Sequence, residues 1–492
     1  MLSLKKNRAF LGGALVELFY FCYFVLPSLS ARFRNDDASN IYYYWSRGFW
    51  RLIKGLLLFF TTSYRPMGGV YFYSLYELFG LNPLPYHVVL AVLFLINVIL
   101  VYHCATLLSG SEAIGWLCAI LMTYHANMAL LLYAPAFVFD VLCFTFFFSA
   151  FLYYLRIRFS GRELTPQQLV IFLLIYIAAL ESKEMAVSLP LVLLAYEMLW
   201  HHPDYSIMSI LKWLRTTALP ALVAGFITLF FIIGKSIGPD AISTNPMFQP
   251  VITFRRFFES NVRFVKDIFY LNPGDWFNRS WLFLIWILLA YVAISRRSNP
   301  LKISLFIILI VPLPIAFVPN KRGGEMLYIP FFGWALVIAT LIDSMCSFFS
   351  REPLFRRVHV NLSKALALSL AVGCFWYQTD FEHKRATYSL QFVGREFWSV
   401  KEQLKILLPK VKPGAQIAFY NNMFRDWDAK FIAELLYKDR SVTVRLNDKT
   451  PLTHSELDKM DYVLAFKEQK VVVLKRPGEA FTPPPNYEEL PK

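Results

Sequence analysis

Asn35-Asp36-Asp37 sets two adjacent carboxylates a few residues beyond an apolar stretch, Phe10–Ser30. Two acids side by side near a membrane surface repel each other and are costly to bury. Such a pair splits its pKa values and can accept a proton, a cation or a hydroxyl; a solvated loop that happens to hold two acids is the plain alternative. Three further polar groups interrupt apolar sequence: Tyr64-Arg65-Pro66, Glu181-Ser182-Lys183-Glu184 and Lys321-Arg322-Gly323-Gly324-Glu325. Alone, Arg65 reads as a snorkelling anchor and the second group as a hairpin turn. Ionisable residues inside so apolar a run are nevertheless expensive unless they face water or each other. Taken together, a carboxylate could deprotonate an attacking hydroxyl while fixed cations hold a departing phosphate. An amphiphilic donor with its tail in the bilayer would present that phosphate to Arg65 and Lys183. This is the chemistry of glycosyl transfer from a polyprenyl-phosphate sugar.

The elements that must position these groups are mostly membrane helices. Apolar residues make up 57% of the 492-residue chain and charged residues 17%, which fits a polytopic α-helical membrane protein and excludes an ordinary soluble domain. Stretches long enough to span, or nearly so, fall at roughly 10–30, 86–108, 113–133, 136–155, 167–181, 185–200, 216–234, 280–295, 301–318, 325–348 and 363–378. That is about eleven spans, with the 167–200 pair short. Basic residues set the orientation: Lys5, Lys6 and Arg8; Arg156, Arg158 and Arg162; Arg296, Arg297 and Lys302; Arg351, Arg356, Arg357 and Lys364. With the N-terminus cytoplasmic all four clusters lie inside, and an odd span count puts the C-terminal part outside. No small-residue cleavage site precedes Arg32-Phe33-Arg34, so the first span is expected to be a retained anchor. The six cysteines all lie in apolar segments without metal-ligand spacing, and are expected to be buried, reduced and inert.

On this map the chain divides into a membrane domain, 1–380, an extracytoplasmic α/β domain, 381–480, and a disordered tail, 481–492. The outer loop 31–85 carries interfacial helices at Tyr42–Trp50 and Tyr71–Phe79. A second outer loop, 235–279, holds a basic helix with Arg255, Arg256, Arg263 and Lys266, suited to anionic headgroups or simply a solvated face. In the α/β domain a charged helix, Glu382–Leu408, precedes a turn at Lys412-Pro413-Gly414. Strands follow at Gln416–Tyr420, Ser441–Leu446, Tyr462–Lys467 and Val471–Lys475, with a helix at Asp426–Tyr437. That domain shows no phosphate loop and no catalytic constellation; a lid or a binding module is the default expectation. All four polar groups of the membrane domain fall on the outer side, and one site is the simplest account of that.

At these residues the chain resembles the GT-C membrane glycosyltransferases, nearest the branch of protein O-mannosyltransferases and transmembrane, tetratricopeptide-bearing O-mannosyltransferases. The resemblance runs over about 1–350 in the order Asn35-Asp36-Asp37, Tyr64-Arg65-Pro66, Phe79-Gly80-Leu81-Asn82-Pro83 with Tyr86-His87, then Ser182-Lys183-Glu184-Met185-Ala186-Val187, then Glu325 with Leu327-Tyr328-Ile329-Pro330. The pattern departs in three places. Met326 stands where the family commonly has Arg, leaving Lys321 or Arg322 to substitute. His125-Ala126 and Leu130 stand at the family's His-Pro and Glu positions. The tail is α/β, without tetratricopeptide repeats. What the resemblance implies is an inverting transferase with Asp36 and Asp37 as the catalytic acid pair, Asp36 slightly favoured as base. Arg65, Lys183 and Arg322 would contact the donor phosphate, and Glu184, Glu325 and Tyr64 would orient the reactants or the acceptor.

A monophosphate donor requires no metal, because protein cations can hold the leaving group; the two acids could still bind a divalent cation. The expected partners are the polyprenyl-phosphate-sugar donor and a glycan, lipid or protein acceptor, with no nucleic acid; length and the Cys-free outer domain fit a bacterial inner membrane, with the endoplasmic reticulum as the alternative. Two rivals remain. A lipid-linked glycan flippase would need a polar path through the bilayer, for which His103 and Asp140 are the main residues, and internal repeats, of which none is visible. A polysaccharide ligase or polymerase would rely on an Arg/His-rich outer loop such as 235–279.

Overall fold

The computed structural model describes residues 2–204, 206–237, 241, 244, 246, 249–271, 274, 276–319, 323–349, 360–392, 394–421, 429–467 and 470–482. Among them six helical segments are long and apolar enough to cross a membrane: Phe10–Ser30, Pro83–Ser109, Pro135–Phe159, Leu219–Ser236, Asn299–Ala316 and Gly324–Ser347. A seventh is reached if Glu112–Thr123 and Ala126–Tyr133, bent by 57°, form one span. The sequence map of about eleven is therefore met only in part. Its remaining spans correspond to shorter or less apolar helices: Pro166–Ser182 and Arg279–Ser295 have 17 residues each, Leu189–Trp200 only 12, and the last apolar run is embedded in the charged helix Val360–Phe392.

Turn chemistry sets the boundaries. The sequence predicts one helix over Tyr42–Trp50; the chain instead forms Asn35–Arg47 and Phe49–Leu57, separated by Gly48 at φ +83°. Few side chains tolerate that left-handed geometry, so the helix cannot run through it. Pro66 opens Pro66–Phe79, and Asn82 caps the second span, its side chain accepting the Leu84 N–H ahead of a helix that starts on Pro83. The second span packs against Glu112–Thr123 and Pro135–Phe159. Inside that contact the Thr145 hydroxyl donates to Asn97 Oδ1 at 2.8 Å, a polar link between helices.

Polar contacts sort the two ends of the bundle. At one end Arg158 grips Glu197 through two hydrogen bonds, 2.8 and 3.0 Å, with the Tyr154 hydroxyl adding a third at 2.6 Å. Arg158, read from sequence as an orienting charge, is thus buried and neutralised. At the opposite end Asn127 Nδ2 donates to Asp267 O at 2.8 Å, Ser260 Oγ to Ala316 O at 2.7 Å and Arg256 Nη2 to Val318 O at 2.6 Å. The basic helix, Phe254–Ile268, is therefore fixed to its neighbours through Arg256, while Arg255 pairs with Glu259 at 2.9 Å.

The C-terminal unit holds a four-stranded sheet of order β2-β1-β3-β4, with β1 Gln416–Phe419, β2 Thr443–Leu446, β3 Tyr462–Lys467 and β4 Lys470–Lys475. β1 pairs parallel with β2 and β3, and β4 returns antiparallel on β3. All four predicted strands are present within two residues. The predicted helix Glu382–Leu408 is not continuous: Val360–Phe392 and Arg395–Leu407 are separated by a break containing Gly394 at φ +87°, where a Cβ would collide with the Phe33 carbonyl. The expected domain boundary at 380/381 falls inside the first of these helices. Phe481, assigned to the tail, is buried against Leu457 and Met460. Of the predicted helix Asp426–Tyr437, Lys430–Tyr437 is helical; 426–428 and the tail from 483 lie outside the described residues.

This unit docks on the loop between the first two spans. The Tyr76 hydroxyl donates to Leu435 O at 2.6 Å, Lys438 Nζ lies 3.1 Å from Glu77 Oε2, and the Tyr42 and Phe431 rings stack at 4.7 Å. The helix carrying the acid pair is thus held from both sides, by the bundle and by the C-terminal unit.

Candidate functional site

The two adjacent aspartates have opposite environments because consecutive residues of a helix point in different directions. Asp37 is 0% exposed, and each of its carboxylate oxygens accepts a backbone N–H at 2.6 Å, one from Arg34 and one from Ala136. It closes the first turn of Asn35–Arg47 and pins that helix to the start of Pro135–Phe159. Burial pushes its pKa up to about 7, against the pull of those two hydrogen bonds. Asp36 is exposed; among the described residues only its backbone carbonyl is engaged, by Ser39 and Asn40.

Arg65 adopts φ +34°, a left-handed backbone that is strained for a bulky residue ahead of proline. The Tyr44 hydroxyl holds this kink, donating to the carbonyls of Tyr64 at 2.9 Å and Arg65 at 3.1 Å. The guanidinium is thereby aimed at Glu184, with Nε 3.2 Å from Oε1 and Nη2 2.7 Å from Oε2, while Nη1 donates to the Tyr64 hydroxyl at 3.0 Å. Burial works against both charges of this fork, but their mutual attraction prevails: Glu184 is held down at about 2 and Arg65 is raised above its ordinary value.

Lys183 makes the second ion pair. Its ammonium lies 2.5 and 2.6 Å from the two carboxylate oxygens of Asp140, and both side chains are buried. Glu325 is also buried, and its charged neighbours are Asp140, Lys183 and Arg34. The half-buried guanidinium of Arg34 in turn senses Asp37, Asp36 and Glu325; burial lowers its pKa while those three carboxylates oppose the shift. The four polar groups of the sequence, the fourth through Glu325, are therefore one electrostatic neighbourhood at one end of the bundle. Lys321 and Arg322 lie outside the described residues.

Two assignments change in this light. Arg65 and Lys183, read from sequence as phosphate contacts, are each engaged by a carboxylate. Among the described residues Arg34 has no carboxylate within ion-pair distance, although Asp37, Asp36 and Glu325 all act on its charge. Sequence reasoning passed over Arg34, although it stands two residues before the acid pair. It placed Asp140 on a flippase's polar path and did not pair it with Lys183, although a lone Asp near the start of one apolar span and a Lys at the end of another are natural partners. His125 serves the scaffold, with Nε2 2.9 Å from Ile268 O and its ring stacked on Tyr270.

No protein-family model matches the chain, and no curated protein matches it.

Proposed function

We propose that this chain is a membrane glycosyltransferase of GT-C type that moves a sugar from a polyprenyl-phosphate donor to an acceptor hydroxyl at the extracytoplasmic face, with inversion. The observation that carries the reading is the division of labour around Asn35–Arg47: exposed Asp36, anchored Asp37 and the Arg34 guanidinium, without an ion pair among the described residues, stand together at one end of an apolar bundle.

In this reading Asp36 takes the acceptor's proton as the hydroxyl oxygen attacks the anomeric carbon. The bond from that carbon to the phosphate oxygen breaks, and the polyprenyl phosphate leaves with its new charge facing Arg34. Asp37 fixes the helix that presents Asp36. The Arg65–Glu184 and Lys183–Asp140 pairs hold the segments around the site, and Glu325 adds a carboxylate beside Arg34 and Lys183. Collection of the charges at one end supports a reaction at the interface over a path through the bilayer. The finer topology belongs to the same reading: about eleven crossings, shorter helices included, with a cytoplasmic N-terminus in a bacterial inner membrane. Docking of the C-terminal unit on the 31–85 loop supports an odd count, because both must lie on one side.

The test is mass spectrometry of lipid-linked sugars and surface glycans in a strain lacking the protein, paired with transfer from synthetic polyprenyl-phosphate sugars by purified protein. Accumulation of one donor with loss of one glycan is expected. An unchanged lipid-linked pool and no transfer from any donor would overturn the proposal.

A further inference from the structure

A cavity of about 400 Å³ opens beside the end of the first span, lined by Pro27, Ser30, Ala31, Arg32, Tyr133, His383, Leu390 and Arg395. None of the residues placed around Asp36 lines it, and none of its described lining residues is acidic. Its volume lies within the range of sites for small ligands.

The cations come from separate parts of the chain that the fold brings together. Arg32 belongs to the extended segment between Phe10–Ser30 and Asn35–Arg47. Its guanidinium stands 5.6 Å from the Trp398 ring centre, and no carboxylate lies within ion-pair distance of it among the described residues. Arg395 opens the helix Arg395–Leu407, whose first-turn N–H groups and dipole add positive potential. Glu396 in that turn is exposed and does not line the cavity. The Tyr124 hydroxyl and His383 Nδ1, 2.6 Å apart, brace the wall on the side of Val360–Phe392. Gly394 at the elbow lies so close to the Phe33 carbonyl that no side chain fits, which holds Arg395 and Arg32 to one mouth.

We propose that this cavity is a binding site for an oxyanion, a phosphate- or carboxylate-bearing group, distinct from the acid-pair site. Guanidinium forks match such groups in geometry and charge. The group reaches the cavity either on a lipid headgroup from the adjoining leaflet or on a solute from the aqueous side. The inference does not depend on glycosyl transfer, and its test involves none.

The full chain in phosphatidylcholine nanodiscs is titrated with inorganic phosphate and, separately, reconstituted with phosphatidylglycerol in place of part of the phosphatidylcholine; the thermal transition is the readout. Wild-type protein should be stabilised in at least one arm. Phosphate protection assigns a solute and phosphatidylglycerol protection alone assigns a lipid headgroup. Arg32→Gln with Arg395→Gln should weaken the apparent affinity about tenfold or more, while Arg215→Gln, at the far end of the bundle, should leave it unchanged. The paired variant must show the wild-type transition without ligand. If it does not, Arg32→Lys with Arg395→Lys, which keeps charge but loses the fork, is scored for a smaller loss in the same direction. No protection in either arm, or equal protection in wild type and variants, overturns the site.

Discussion

Lys183, at the break after Pro166–Ser182, and Asp140, 43 residues away in Pro135–Phe159, form a buried two-point ion pair with contacts of 2.5 and 2.6 Å. This relationship turns a residue that reads as a ligand contact into part of the frame. An ammonium that gives two of its three N–H groups to one buried carboxylate offers less to a phosphate, and removing it strands a charge in a low-dielectric interior.

Lys183→Ala should therefore act on stability first. Breaking one side of a buried pair costs about 3–5 kcal/mol, whereas neutralising both sides is far milder. Thermal unfolding in detergent should show a large loss for Lys183→Met alone and substantial recovery in Lys183→Met with Asp140→Leu. Arg34→Ala should leave the transition nearly unchanged and weaken donor-lipid binding about tenfold to a hundredfold, as expected for a charge-assisted phosphate contact. A Lys183 variant of normal stability with weakened donor binding would return Lys183 to the donor site.

The two anchoring carboxylates should respond to pH in opposite senses. Glu184 sits at about 2 in the folded chain against an ordinary 4.5. Its contribution is present above 4.5 and is lost as pH falls through about 2. Asp37 is raised from 3.8 to about 7, so its contribution is complete below 3.8 and is lost as pH rises through about 7. Melting curves from pH 3 to 8 should show that Glu184→Gln flattens the acidic limb and Asp37→Asn the neutral limb. Identical limbs in wild type and variants would remove the linkage.

Much of this was legible from residue types. The six long spans, the basic helix, the strands of the C-terminal sheet and the gathering of separated polar groups at one end all follow from apolar runs, β-branched alternation and the cost of isolated charges. Pairing was not legible. Nothing in the sequence states that Lys183 faces Asp140 or that Arg65 faces Glu184, since those partners depend on helix rotation and packing. Boundaries failed where one glycine decides them, at Gly48 and Gly394, because a positive φ is a backbone property with no hydrophobic signature. Asp36 and Asp37 look equivalent on paper; only the helix start separates exposed from buried.

Sidedness yields a direct test. Glu163 and Asp448 are both exposed, and the proposed topology puts them on opposite faces of the membrane. In a background lacking the native cysteines, Asp448→Cys should react in intact cells with a membrane-impermeant maleimide, and Glu163→Cys only after permeabilisation. Labelling of both in intact cells would refute the orientation and, with it, an extracytoplasmic reaction.

The acid pair carries the decisive prediction, because the two residues should fail in different ways. Asp36→Asn preserves size and exposure but cannot accept the acceptor's proton. As a general base, its loss should lower turnover ~10²–10⁴-fold while leaving folding and donor-lipid binding intact. Asp37→Asn replaces an acceptor oxygen by an amide NH₂ that cannot receive one of the two backbone N–H groups, from Arg34 or Ala136, now held at 2.6 Å. An unsatisfied buried donor costs roughly 1–3 kcal/mol, so this variant should lower the thermal transition and loosen Asn35–Arg47. Its loss of turnover should track that loosening and ease at low temperature, where the helix is better held. The comparison therefore needs turnover, donor affinity and melting temperature on both variants in the same nanodiscs. If Asp36→Asn keeps near-normal turnover while Asp37→Asn abolishes it without destabilising the fold, the roles assigned to the two aspartates are wrong. If both retain turnover, the acid pair is not the base.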